Sequence, residues 1–416
     1  MTAQPHQGTR VMVVGPGWHM TSGISHYTYR LSTALAERHQ VSTLLMRRLI
    51  PRRAYPGAAR VGADVTDAAY PEHVPVYDGV DWYWGRSMRS AIEFMDRERP
   101  EVVILQWWTG AVLHSYLRLA SHAARHGARV IMEWHESQDV GEAGLPGTRR
   151  YVGSLMPWLL AWSAAHVVHS DFDLGAITSA YPLGMAPVRV IRHGPYDHLA
   201  PPVRATGAAG RDGGPMRLLY LGLVRPFKGV EDLVEAFSGL DRGDAERFLL
   251  TIVGETWEGW NAPDEAIGRS PHADLIERVD RYVTDAELAE YFTNADAVVL
   301  PYHRSSASGP LQIAMSAGLP VVVTSVGGLV EAVRDYPGAR LVSPRDADGL
   351  RGALLGLPAQ RGRRYADPHS WELVTDEFTT LIASIRGASA HRADAVRLVP
   401  AQAGRTARAV TGAEAS

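Results

Sequence analysis

Short apolar runs alternate with longer amphipathic stretches along most of the chain. "RVMVVGPGW" predicts a buried strand over Val11–Val14 and then a Gly-rich turn. "ISHYTYRLSTALAERH" places Ile24, Tyr27, Leu31 and Leu35 at helical spacing, and "QVSTLLM" predicts the next strand. "EVVILQW", "VLHSYLRLASHAARHG" and "ARVIMEWHE" continue as strand, helix and strand, with "AHVVHS" and "VRVIRHG" as two more short strands. Such βαβ alternation predicts a parallel sheet with helical crossovers.

The pattern breaks at 198–215, "HLAPPVRATGAAGRDGGP", whose Pro, Gly and Ala content predicts a linker. It then restarts. "MRLLYLGLV", "RFLLTIVGE", "DAVVLPY" and "ARLVS" read as strands, and "VEDLVEAFSGL" and "DAELAEYFTNA" as helices. "HRSSASGPLQIAMSAGLPVVV" reads as loop, helix and strand. The expectation is two α/β halves, 9–197 and 216–365. A last helix over 366–386 has Ser370 as N-cap and Trp371, Val374, Phe378, Leu381 and Ile385 on one face. From 387 to 416 the chain is Ala/Arg-rich and aperiodic, which predicts a disordered tail.

Composition narrows the function. A length of 416 residues exceeds one ordinary core, in agreement with two domains. The net charge of −3 gives no basic field for nucleic acid. No cysteine is present, so a disulfide frame and thiolate chemistry are excluded. The start "MTAQPHQGTR" has no apolar signal core, and no apolar run reaches the ~18 residues of a membrane span. A cytoplasmic location is expected. "MRRLIPRR", 46–53, could touch a membrane surface or a phosphorylated acceptor, a solvated loop being the simpler alternative. Of 42 basic residues one is a lysine, Lys228.

Ligands of open α/β sheets sit beyond the carboxyl ends of the strands. Three such ends in the second half carry suitable chemistry. Gly222, Arg225 and Lys228 follow the first strand and precede a helix N-terminus, a place that favours phosphate. Ser305, Ser308, Gly309 and Pro310 form a second anion seat, with Pro310 suited to the first helical position. Tyr282 and Val283, read as the end of a strand before the N-cap Thr284, offer main chain to a base. No D-x-D triplet or His/Cys cluster occurs in these loops, so no metal and no cofactor are expected.

At this point the chain resembles a family. "GLVRPFKGVEDLVEAF", "RYVTDAELAEYFTNADAVVLPY" and "SGPLQIAMSAGLPVVVTSVGGLVEAV" look like the donor-binding half of retaining glycosyltransferases of family 4. "SGISHYTYRLSTALAERHQVSTLL", "VIMEWHE" and "VRVIRHGPYD" are similar to that family's first half. The resemblance covers roughly 9–386. It implies the GT-B fold: two Rossmann-like domains facing across a cleft, the C-terminal helix crossing back to the first. It also implies a UDP-, GDP- or ADP-sugar donor in the second domain and a hydroxyl-bearing acceptor in the first. Arg225 and Lys228 match the family's basic pair at the diphosphate, and His135 its histidine near sugar and phosphate. The usual pair of loop glutamates is absent, with Ser305 and Ile313 in their places, as in branches with a Ser-Gly loop. Gln312 or Glu331 could take over ribose binding.

In the first half, Gly17, Ser22 and Gly23 form a Gly-rich turn that can approach a donor phosphate, although the spacing is not the dinucleotide fingerprint. "IMEWHES" sets polar residues, Glu133, His135 and Glu136, at a strand mouth. "DWYWG" and "QWWTG" offer Trp84 and Trp108 as faces for a sugar ring. Trp84, Trp108 and Glu136 are the acceptor candidates. His193-Gly194 reads as a structural or hinge-forming turn. Two other functions stay open: a nucleotide-sugar epimerase or sugar phosphorylase, and an inactive binding subunit. Oligomeric state is not indicated.

Overall fold

The computed structural model describes residues 8–19, 23–48, 66, 68–136, 147–201, 214–257 and 259–387. Ser22, most of 198–215, the basic stretch beyond Arg48 and all of 388–416 therefore lie outside the described residues.

The first half runs β1 (Arg10–Pro16), α1 (Gly23–Leu35), β2 (Gln40–Arg48), β3 (Val76–Asp81), α2 (Gly85–Glu98), β4 (Val102–Trp107) and α3 (Leu113–Arg125). It continues with β5 (Arg129–Trp134), α4 (Thr148–Trp162), β6 (Ser163–Val168), α5 (Asp171–Ala180) and β7 (Val188–Val190). The second half opens with β8 (Met216–Leu221), α6 (Val230–Ser238), α7 (Arg242–Ala245), β9 (Phe248–Val253) and α8 (Ala262–Arg269). After these come β10 (Ile276–Val279), α9 (Asp285–Asn294), β11 (Ala297–Leu300) and α10 (Gly309–Ser316). β12 (Val321–Thr324), α11 (Leu329–Ala332), β13 (Ala339–Val342), α12 (Ala347–Gly356) and α13 (Trp371–Gly387) complete it.

The strands form two wholly parallel sheets, ordered β3-β2-β1-β4-β5-β6-β7 and β10-β9-β8-β11-β12-β13. The central strands are continuous apolar runs because both faces are covered: β4 is buried at every position, as are β11 and β12. In each sheet the chain order reverses beside the first strand, between β1 and β4 and between β8 and β11. Crevices open at such points, so the loops after these strands are where a ligand is held.

The structure corrects one strand. Arg281-Tyr282-Val283 is not part of the sheet: the ladder with β9 ends at Val279, and Arg281 turns back to the Val279 carbonyl at 3.1 Å. Thr284 is the N-cap, in a capping box with Glu287.

α13 crosses to the first half and packs along α1. His39 Nε2 meets Thr379 Oγ1 at 3.0 Å, Arg38 pairs with Asp376, and Arg386 binds Thr9 at 2.7 Å and Glu101 at 2.6 Å. The predicted apolar face is the buried one: Trp371, Val374, Phe378, Leu381 and Ile385 are all in the core. Ser370 caps it, accepting from the Leu373 N–H at 3.2 Å.

Between β8 and α6 the backbone needs a glycine. Gly229 has φ 59°, and a Cβ there would lie 2.2 Å from the Pro301 carbonyl oxygen. Gly229→Ala should therefore destabilise the protein by about 2 kcal/mol or more, through strain and a backbone clash that nothing can relieve cheaply. A urea titration with an unchanged midpoint would show this turn to be tolerant.

Candidate active site

The segments that follow β8 and β11 meet. A Cβ on Gly222 would lie 3.7 Å from Pro310 Cγ. Arg225 N-caps a single turn, Pro226–Lys228, before α6. Its guanidinium lies between the rings of Phe227 at 5.0 Å and Trp257 at 5.1 Å, an arrangement that holds the planar fork by cation–π attraction. Lys228 is crowded by the walls of the crevice yet reachable from it. Its Nζ sits 3.7 Å over the Tyr302 ring. Burial pushes its pKa down to about 8; Glu136 opposes the shift and the Arg225 charge adds to it.

Ser308 N-caps α10: its hydroxyl accepts from the Leu311 N–H at 3.3 Å and lies 3.4 Å from the Tyr302 hydroxyl. Gly309 and Pro310 open the helix, so Pro310 occupies its second position rather than the first. Ser305 donates to the Ala307 carbonyl at 2.7 Å, which fixes the loop rather than pointing its hydroxyl outward. Gln312 is buried, and its Oε1 has no hydrogen-bond partner among the described residues. Tyr282 is half-buried and Val283 buried, in the loop between β10 and α9.

The first half supplies the facing wall. Tyr196 donates its hydroxyl to the Gly23 carbonyl at 2.7 Å, and its Cε2 lies 2.9 Å from where a Cβ on Gly309 would be. One ring thus spans the Gly-rich turn of the first half and the start of α10 in the second. A side chain at 309 would displace it. Glu136 faces the Ser306 hydroxyl across the crevice at 3.3 Å and bears on Lys228. Its place is therefore at the loop before α10 rather than beside the tryptophans.

Behind this wall lies a buried polar cluster. Glu133 is fully buried at the end of β5. It accepts from Tyr27 Oη at 2.7 Å and from Gln106 Nε2 at 3.0 Å. Burial disfavours its charge, but the neighbouring imidazoles of His135 and His169 and the Tyr27 hydroxyl together hold its pKa below the ordinary value. His135 and His169, at the ends of neighbouring strands, each stand 3.8 Å from a Glu133 oxygen. His193 packs 4.4 Å from the Tyr27 ring and meets the Gly194 carbonyl at 2.7 Å, a structural place.

Burial holds the His166 pKa down to about 4. Its neutral form stabilises the fold above pH 6.5, and this contribution is lost as pH falls toward 4, by about 3 kcal/mol. Asp173, raised by burial to about 6, acts in the opposite sense: its protonated form stabilises at low pH. Between pH 6.5 and 4 the wild type should therefore lose about 3 kcal/mol more in urea titrations than a folded His166→Asn variant. Equal profiles would mean that this imidazole is not buried neutral.

The two tryptophans separate. Trp108 is 8% exposed and packs in the core near Tyr116, so its faces are not available to a sugar. Trp84 is on the lip, 38% exposed, bonded to Ser115 at 3.0 Å and stacked on His114. Glu331 is committed elsewhere. It accepts from the Asp171 and Phe172 N–H groups at 2.9 and 3.0 Å, capping α5 across the domain boundary, where an anion complements the helix dipole. At the start of α6 and beyond β11, Glu231, Asp232 and His303 bring three ligand-type atoms together, with His303 hydrogen-bonded to Asp232 at 2.8 Å. Residues 231–232 and 303 are too far apart for spacing to have revealed this.

Comparison with known proteins decides the class. Residues 21–195 match the model described as Glycosyltransferase Family 4, and residues 215–359 match the one described as Glycosyl transferases group 1. The chain is built from two glycosyltransferase domains. It is 28% identical over 359 residues to the glycogen synthase of Mycobacterium tuberculosis (strain ATCC 25618 / H37Rv), covering 82% of this chain and 84% of that one. Two solved structures share its fold. The Anabaena protein HepE in complex with UDP and glucose has a TM-score of 0.63 at 12% identity, covering 90% of this chain and all of that one. The catalytic domain of Starch Synthase IV from Arabidopsis thaliana, bound to ADP and acarbose, has a TM-score of 0.62 at 13% identity, covering 92% and 99%. The fold is GT-B, and the chain is a glycosyltransferase. Among the described residues no helix is long and apolar enough to cross a membrane.

Proposed function

We propose that this glycosyltransferase moves a sugar from a nucleoside diphosphate sugar to an acceptor hydroxyl with retention of configuration, without a metal on the diphosphate. The observation that carries the reading is the Arg225–Lys228 pair beyond β8, facing the N-terminus of α10 and, across the crevice, Glu136. Two cations and the positive end of the α10 dipole match the charge that develops on a departing diphosphate. Gly222, Ser308, Gly309 and Pro310 line the phosphates, Gly23 closes from the other wall, and Tyr282 and Val283 take the base.

The reaction needs no protein nucleophile. The C1–O bond to phosphate breaks as the acceptor oxygen bonds to C1 on the same face. The acceptor proton passes to the leaving phosphate oxygen. This accounts for a working loop that has Ser305 and Ile313 where acids would stand. His135 lies at the sugar, and Trp84 on the lip is the one remaining aromatic candidate for an acceptor ring. The same missing acids motivate a second reading, a subunit that binds nucleotide sugar without turnover.

UDP-, GDP- and ADP-sugars should be screened by thermal shift, since a bound ligand raises the melting temperature by mass action. The donor so found should then release its nucleoside diphosphate only with an acceptor present, and NMR should show the donor's anomeric configuration in the product. Inversion would eliminate the front-face mechanism. Turnover without acceptor would favour an epimerase. Binding with no turnover on a broad acceptor panel would favour the inactive subunit.

A further inference from the structure

The polar cluster behind the crevice holds a buried carboxylate against two imidazoles. Glu133 is a buried carboxylate held by two neutral donors, Tyr27 and Gln106. The groups facing it are imidazoles. His135 Nε2 and His169 Nε2 are buried and have no hydrogen-bond partner among the described residues. Each lies 3.8 Å from a different carboxylate oxygen, beyond hydrogen-bond length. The His169 tautomer is set from behind, because its Nδ1 meets the Ile191 carbonyl at 2.9 Å and must donate there. Nε2 of His169 therefore turns a lone pair toward a carboxylate. Two electron-rich groups face each other in a site closed to bulk water, an arrangement that a cation between them stabilises.

We propose that Glu133, His135 and His169 bind one divalent transition-metal ion of the zinc class. Their ligand atoms all lie within 4.8 Å of one another. An ion about 2.0–2.2 Å from each nitrogen and from a carboxylate oxygen would draw the three atoms together, by up to about an ångström. Two imidazoles and one carboxylate are a ligand set that suits such an ion. The outer partners have the usual form: the Ile191 carbonyl orients His169, and Tyr27 and Gln106 orient the carboxylate. The ligands come from the ends of β5 and β6, adjacent strands in register at Glu133 and Val167, so the sheet itself sets their separation. The ion acts by position: it fixes the ring of His135 in the cluster behind the crevice wall. It is separate from the diphosphate seat at Arg225 and Lys228.

Two other groups could compete for a metal. Asp96, His122 and His126 lie on the surface of α2 and α3, and there His122 is already hydrogen-bonded to Asp96 at 2.8 Å. At Glu231, Asp232 and His303 the imidazole is likewise bonded to its carboxylate. Among these groups, the one at Glu133 is the one whose buried imidazole nitrogens lack partners.

The experiment is metal analysis of the full-length chain, purified without a metal-affinity tag, by inductively coupled plasma mass spectrometry. Cobalt(II) titration of chelator-treated protein would follow the same site by visible absorption. Wild type should hold about one equivalent of metal. His169→Gln and Glu133→Gln should weaken cobalt binding more than tenfold, and His122→Gln should leave it unchanged. If the buried variants do not fold, X-ray absorption on the wild type decides, with two imidazoles in the first coordination shell as the expected result. Folded wild type with neither stoichiometric metal nor a cobalt band would overturn the site. Retention of the ion by folded His169→Gln, its loss in His122→Gln, or absorption data without histidine ligands would do the same. Because the readout is metal content, failure here is distinct from failure of the donor-site reading.

Discussion

Lys228→Ala is expected to lower kcat/KM for the donor by about 10²–10³, the usual cost of removing one preorganised charge from a developing anion. The side chain is already in place for such a role. Its ammonium lies over Tyr302 and 5.5 Å from the Phe227 ring, in a crevice with Arg225 as its cationic neighbour. Lys228→Arg should restore only part of the loss, because a planar guanidinium does not fit the place of a compact ammonium. The pH profile gives a second signature. In the free protein the Lys228 pKa is about 8, so the charged form is complete well below that value and is lost above it. Donor kcat/KM should fall as pH rises through about 8. Wild-type rates in the alanine variant would remove Lys228 from the leaving-group site.

The second large effect concerns Trp371, the first residue of α13. Trp371→Ala should destabilise the protein by about 3–5 kcal/mol, the range for emptying a tryptophan-sized space in a core. The ring stands 5.4 Å from Tyr27 and against Gly194, with the Arg30 guanidinium 5.2 Å from its centroid, and Nε1 donates to the Pro195 carbonyl at 2.8 Å. It joins α13 to the same Tyr27 that supports Glu133. Trp371→Phe keeps most of the packing and loses the hydrogen bond, so about 1 kcal/mol is expected. Urea titration measures both. Equal stability of the alanine variant and wild type would mean that α13 is not part of the fold's core.

Much of this architecture is legible in the chain. Strands such as Val102–Trp107 are buried on both faces and so read as apolar runs, and α13 shows its buried face through residues three and four apart. What escapes is instructive. β3, "VYDGVD", is an edge strand with two aspartates and a glycine, so its pattern is weak. β10, "IERV", hides behind its charged pair, while the aromatic and β-branched residues just beyond it, Tyr282 and Val283, look more like strand and are loop. Positions on strand ends can be anticipated: the segments carrying Arg225, Lys228 and Gly309 meet at one crevice, while His135 joins the polar cluster behind its wall. Residues defined by contact alone cannot. His169 ends "HVVH" without distinction and matters because it comes beside His135; Tyr196 matters because it bridges Gly23 and Gly309; Glu331 caps a helix 160 residues away.

If Arg225 and Lys228 hold a nucleoside diphosphate without a metal, calorimetric titration of UDP, ADP and GDP in the presence of EDTA shows it. One of the three should bind wild type at a single site, and the Arg225→Ala/Lys228→Ala double variant should lose at least about 100-fold in affinity, as two charge-assisted contacts require. Undiminished binding by the folded double variant would contradict the account.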